Sequence, residues 1–169
     1  MSWNMSVMLG KYFWYILAGL VVVADQTTKG LSACAMAYGE VMRVTGFFNL
    51  AHVRNDGAAF SLLAGAGYWS RIGLILIALG VAVWIARVLR QPLCRVEALG
   101  YSLILGGALG NALDRILRGA VLDFLDFHWQ GMHWPAFNLA DVAIFAGVVC
   151  LIIGVLFQVR PVAPAGMGR

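Results

Sequence analysis

Leu139-Ala-Asp-Val-Ala-Ile-Phe-Ala-Gly-Val-Val-Cys-Leu-Ile-Ile-Gly-Val-Leu-Phe-Gln-Val159 is an apolar run whose single charge, Asp141, stands near its start. A helix needs roughly 20 mostly apolar residues, at about 1.5 Å each, to cross about 30 Å of hydrocarbon, and this run is that long. Three more stretches, about 9–26, 72–88 and 96–113, share its character. Of the 169 residues, 62% are hydrophobic and 12% charged, with a mean hydropathy of +0.83. A soluble domain of this size needs more polar surface. The expected fold is an all-α membrane protein, a single domain over 1–169 with four transmembrane helices and outer loops at 27–71 and 114–138.

In a four-pass chain the loop after the first span shares a face with the loop after the third. Asp25, Glu40, Asp56, Asp114, Asp123, Asp126 and Asp141 then fall on one side, and Glu97 alone on the other. A carboxylate-bearing site is therefore expected at one membrane surface. Lysines and arginines divide six and six, so their number sets no orientation. Their density does: Arg87, Arg90 and Arg95 crowd the short connection around Pro92, which favours cytoplasmic termini.

Other features carry less. Cys34, Cys94 and Cys150 belong to an outer loop, an inner loop and the last span, so no disulfide or metal framework is expected. Leu31-Ser-Ala-Cys34 spells a lipobox, but Asp25-Gln-Thr-Thr-Lys29 separates it from the apolar run Phe13–Ala24, and cleavage at Cys34 is not expected. His128 and His133 lack the further ligands that zinc wants. Beside Trp129 and Trp134 they read as part of an interfacial aromatic belt.

The outer loops hold the informative residues. Val41 to Leu62 mixes β-branched and aromatic residues with turn signals at Gly46 and Asn55-Asp-Gly57, which predicts a small β-rich excursion between helices 1 and 2. Ala58-Ala-Phe60 follows, small side chains beside permissive backbone, suited to an ordinary turn or to a closely approaching peptide. Gly106 and Gly110 make a small-residue stripe for close helix approach, fixing Asn111, Asp114 and Arg115 just beyond. Asn138 suits an N-cap with Asp141 at N3, a capping role that stands beside a catalytic one. Alternation in Val121–Phe127 points Asp123 and Asp126 to opposite faces, one of them solvated. Two carboxylates sharing a proton cannot both ionise, which supplies an acid and a base for activating water.

Five ordered blocks, Asp25-Gln-Thr-Thr-Lys29, Arg54-Asn-Asp-Gly-Ala-Ala-Phe60, Gly106-Gly-Ala-Leu-Gly-Asn111 with Asp114-Arg115, Val121-Leu-Asp-Phe124 and Phe137-Asn-Leu-Ala-Asp141, resemble the lipoprotein signal peptidases, the type II family of bacterial membrane aspartyl proteases. The resemblance implies that Asp123 and Asp141 are the catalytic pair, with Asp25, Lys29, Asn55, Gly57, Asn111, Arg115 and Asn138 supporting or facing substrate, and Asp114 and Asp126 outside the pair. It implies a prolipoprotein substrate cut on the amino side of a diacylglyceryl-modified cysteine, and inhibition by globomycin-like cyclic peptides. It also implies an inner-membrane location with a periplasmic active site. No cofactor, metal or nucleic-acid partner is expected, and the chain is expected to act as a monomer among membrane lipids; the tail after Arg160 is expected to take no catalytic part.

Two other classes remain open at this point. An ion pathway would use Asp25, Lys29, Arg115 and Asp141 as relay groups, although they sit near span ends and no inverted repeat is visible. A scaffold binding through Gly106 and Gly110 would leave Asp123 and Asp141 dispensable.

Overall fold

The computed structural model describes residues 5–57 and 68–157. Ala58–Phe60, the end of the excursion towards Leu62 and the tail after Arg160 lie outside the described residues. The elements run α1 (Met5–Ala35), β1 (Val41–Arg43), β2 (Phe48–Asn55), α2 (Tyr68–Val88), α3 (Arg95–Leu117), β3 (Val121–Trp129), β4 (Met132–His133) and α4 (Leu139–Leu156).

Helices α2, α3 and α4 are each long and apolar enough to cross a membrane. Helix α1 is not among these three: its apolar run Phe13–Ala24 leads straight into Asp25-Gln-Thr-Thr-Lys29. That polar pentapeptide, expected to straddle the end of span one and the start of an outer loop, stays helical, and α1 continues to Ala35. The reason is non-local. Asp25 and Lys29, four residues apart on one face, pair with each other, and Lys29 finds Asp114 on α3 while Asp25 accepts the Ala140 N–H of α4, so the helix can bury them.

Helix α3 packs against the other three helices. Glycines let it approach closely: a Cβ on Gly106 would come within 2.6 Å of the Ala18 carbonyl oxygen on α1, and one on Gly147 of α4 within 2.6 Å of the Gly100 carbonyl oxygen. With apolar lipid outside and apolar residues inside, such close backbone contact, rather than hydrophobic expulsion, holds helices together in a bilayer. Ala18, Ala82, Ile85, Leu89, Ala98 and Leu105 form the buried core, while Ile16, Leu20, Leu76, Ile77, Phe145 and Val155 face outward. Gly106→Ala is expected to cost about 1–3 kcal/mol through overpacking against backbone that cannot give way. Thermal unfolding in detergent reads this directly, and an unchanged midpoint would contradict the packing.

The β-rich excursion forms, but it is only half of the sheet. The order is β1-β2-β3-β4, all antiparallel, so the loop between α3 and α4 supplies the other two strands. Strand β2 pairs with β3 from Phe48↔Phe127 to Asn55↔Val121, with an irregularity between Leu50 and Val53. This pairing brings the Asn55 turn beside Asp123. The contribution of the second outer loop to this sheet was not expected, because strand partners so distant in sequence leave no local signal.

Candidate active site

Asp123 lies on β3 and is 2% exposed. Its Oδ2 accepts a hydrogen bond from Asn55 Nδ2 at 2.9 Å, and its Oδ1 one from Asn138 Nδ2 at 2.6 Å. Asn55 is held in turn by an Asx turn, its Oδ1 accepting from the Gly57 N–H at 2.9 Å. Gly57 has φ +91°, a conformation that strains other residues, and a Cβ there would lie 2.6 Å from Leu74 Cδ1, so the turn favours glycine. The turn read from Asn55-Asp-Gly57 thus also sets Asn55 against Asp123.

Asp141 occupies N3 of α4 and is half-buried. Its Oδ2 accepts from the Asn138 N–H at 3.2 Å, while its own N–H donates to Asn138 Oδ1 at 3.0 Å, a complete capping box. Its Oδ1 accepts from Asn111 Nδ2 at 2.8 Å. Asn138 therefore bridges the two carboxylates: its side chain holds Asp123 and its backbone holds Asp141. All four carboxylate oxygens accept one hydrogen bond, and each keeps acceptor capacity for water or substrate.

Arg115, half-buried on α3, donates to the Asn111 carbonyl at 3.3 Å and lies within electrostatic range of Asp141 and Asp123. Asp25 and Lys29 sit behind the two aspartates rather than beside them. Lys29 is fully buried and contacts Asp25 at 2.8 Å, Asp114 at 2.9 Å and Asn111 Oδ1 at 3.0 Å. All nine residues singled out from the sequence thus belong to one connected cluster. Two residues quoted in those sequence blocks but not assigned to the site also join the cluster. Asp114, fully buried, pairs with Lys29 and Arg118, and Gln26 donates to Asp25 at 3.1 Å and Asp114 at 3.0 Å. The i, i+4 spacing of Asp25 with Lys29 and of Asp114 with Arg118 was the available signal.

The expectation that one of Asp123 and Asp126 is solvated fails, since both are buried. Asp126 is 7% exposed and accepts from Asn49 Nδ2 and His133 Nδ1, each at 2.8 Å. Burial pushes its carboxyl up, and the bonds from Asn49 and His133 together outweigh this and hold it below its usual value. His128 stacks on His133 with ring centroids 5.1 Å apart, and Trp129 and Trp134 are exposed, as a surface aromatic belt requires. Among the described residues, no group of three or more His, Cys, Asp or Glu is arranged to hold a metal ion.

Burial raises the Asp123 carboxyl from 3.8 to about 6; the bonds from Asn55 and Asn138 oppose this, and the nearby Asp141 charge adds to it. Because the folded protein holds this proton more tightly than the unfolded chain, the associated stability is complete below about pH 3.8 and is lost as pH rises through about 6. Thermal midpoints measured from pH 4 to 8 should show a downward component in the parent that Asp123→Asn lacks. Parallel curves would contradict it.

Residues 17–157 match a family model described as "Signal peptidase (SPase) II". The chain is 49% identical over 160 residues to the lipoprotein signal peptidase of Cupriavidus necator, covering 93% of this chain and 90% of that one. It is 46% identical over 144 residues to the lipoprotein signal peptidase of Serratia marcescens, covering 85% of each. Among solved structures it is similar to a bacterial membrane enzyme determined in meso at 2.3 Å resolution, with a TM-score of 0.76 and 29% identity over 93% of each chain. A second, at 1.9 Å resolution, gives a TM-score of 0.75 and 32% identity over 85% of this chain and 92% of that one.

Proposed function

The chain belongs to the signal peptidase II family, and on that premise we propose that Asp123 and Asp141 are the pair through which it hydrolyses its substrate. It is a membrane protein and an aspartic-type peptidase that removes the signal peptides of lipoproteins. The observation that carries the dyad is the bridge through Asn138, which joins the two carboxylates by bonds of 2.6 Å and 3.2 Å.

In this reading Asp141 is the base. It is the more accessible of the two, and the α4 N-terminus favours negative charge there. Asp123, buried and raised to about 6, carries the shared proton. Asp141 takes a proton from water as the water oxygen adds to the scissile carbonyl carbon, and Asp123 gives its proton to the carbonyl oxygen. The tetrahedral intermediate then collapses: the carbon–nitrogen bond breaks, the leaving amine takes the proton from Asp141, and Asp123 recovers one from the hydroxyl. General acid–base action contributes about 10² to 10⁴ in rate. The rest is assigned to positioning of the peptide by Asn55, Asn111 and Arg115.

The finer substrate reading is a prolipoprotein whose diacylglyceryl cysteine keeps its acyl chains in the bilayer, cut on the amino side of that cysteine. Helix α1 is the fourth span, both termini are cytoplasmic, and the dyad faces the periplasm at the inner-membrane surface. The monomer suffices, and globomycin-like cyclic peptides compete with the substrate. The test is incubation of purified protein in detergent with a precursor in lipidated and unlipidated forms, with the products weighed by mass spectrometry. Cleavage of the lipidated form alone, with the cysteine as the new N-terminus, supports the reading. Cleavage elsewhere, or of both forms equally, removes it.

A further inference from the structure

The dyad mechanism makes no use of Lys29, Asp25 and Asp114, three fully buried charged side chains behind it. Taking such charges out of water costs several kcal/mol per ion unless they are fully bonded, and a pure packing role is better served by apolar residues of similar volume. Their bonding is unusually directed. Asp25 Oδ1 accepts the N–H of Ala140 at 2.9 Å, and Asp114 Oδ2 accepts the N–H of Leu122 at 3.2 Å. Ala140 immediately precedes Asp141, and Leu122 immediately precedes Asp123. The two partners of one ammonium thus hold the backbone at both members of the dyad.

The third N–H of Lys29 donates to Asn111 Oδ1 at 3.0 Å, and Asn138 Nδ2 approaches the same oxygen at 3.2 Å. Turning the Asn111 amide over would set its NH₂ against both donors and its oxygen against Asp141 Oδ1, now 2.8 Å from Nδ2. While Lys29 is charged, only one amide orientation is allowed, and in it Asn111 donates to Asp141. Asn55 and Asn138 are fixed in the same way by the N–H groups of Gly57 and Asp141. For Asn111 the fixing donors are side chains, Lys29 and the more distant Asn138 Nδ2, so substitution of Lys29 weakens the lock.

We propose that Lys29, with Asp25 and Asp114, is a positioning unit for the dyad: it sets the separation of Asp123 and Asp141 through their neighbouring backbone and locks Asn111 as a donor to Asp141. The proposal rests on the dyad reading and deepens it. Lys29 touches no reacting atom, so its loss should act on turnover and spare affinity.

Removing Lys29 alone leaves a buried carboxylate uncompensated and risks misfolding. Lys29→Met with Asp25→Asn keeps the cluster neutral, Asp114 remaining paired with Arg118, and an asparagine oxygen at position 25 still reaches the Ala140 N–H. This double variant is expected to lose about 10²-fold in kcat with KM little changed, the signature of mispositioned catalytic groups. Parent-like kcat with only a lowered thermal midpoint overturns the proposal in favour of a purely structural triad. Asn111→Asp gives the second reading if the double variant does not fold. It keeps an acceptor for Lys29 but sets a carboxylate oxygen where the donor to Asp141 stood, so the midpoint is expected to fall with the like charge and kcat to fall by about 10²-fold. Unchanged kcat there also overturns it. If Asp123→Asn or Asp141→Asn retains turnover, the dyad reading fails instead, whatever Lys29 does.

Discussion

Asp123→Asn and Asp141→Asn each abolish cleavage of a lipidated precursor, with a loss of about 10⁴-fold or more, the upper range for removing a general acid or base. The isosteric amide keeps the shape but cannot take a proton from water or return one to the leaving amine. Neither substitution should unfold the protein. In Asp123→Asn one of the two donors, Asn55 or Asn138, meets an NH₂ group instead of an oxygen. In Asp141→Asn the side-chain oxygen can still accept from the Asn138 N–H, and the bond from Asn111 is lost. One missing hydrogen bond costs about 1 kcal/mol, more where the donor is left buried and unpaired, against roughly 5–15 kcal/mol for a folded domain. Mass spectrometry of the precursor after long incubation, alongside thermal midpoints of each variant, separates lost chemistry from lost structure. Turnover by either well-folded variant would remove that aspartate from the mechanism.

Asp123 and Asp141 each stand out in the sequence, Asp123 in an alternating apolar strand and Asp141 near the start of an otherwise uncharged helix, but so does Asp126, and the pairing of the first two rested on the family resemblance. The capping box at Asn138 was legible because it depends on residues three apart. What stayed hidden depends on contacts far along the chain. Asp25-Gln-Thr-Thr-Lys29 reads as the start of a loop because two charges and three polar residues have no local excuse in a buried helix. Asp114 and Asn111, over eighty positions away, and the Ala140 N–H, farther still, make that burial tolerable. Strand β3 was visible as an alternation, but its pairing with β2, and hence the approach of Asn55 to Asp123, was not. One of Asp123 and Asp126 was expected to be solvated, yet both are buried, because the partners of Asp126, Asn49 across the sheet and His133 on the next strand, are assembled by strand pairing.

Asn138→Ala is the substitution expected to damage both stability and activity, because one fully buried side chain serves two purposes. Its Oδ1 caps α4 by accepting from the Asp141 N–H, and its Nδ2 donates to Asp123 and Asn111. Loss of an asparagine N-cap costs about 0.5–2 kcal/mol, and leaving the buried Asp123 oxygen without a donor adds about 1–3 kcal/mol. A midpoint several degrees lower is therefore expected, with kcat reduced by about 10²-fold or more as the dyad loses its bridge. The two effects separate with Asn138→Ser. A serine hydroxyl restores the cap to the Asp141 N–H but is too short to span to Asp123 as well, so the midpoint should recover most of the loss while turnover does not. Asn138→Asp provides the converse control. It caps equally well but sets a third carboxylate against Asp123, where like charge prevents the pair from sharing its proton in the required way; the helix should hold and cleavage should fail. If Asn138→Ser instead recovers activity in step with stability, the bridge has no catalytic significance, and Asn138 is a cap alone.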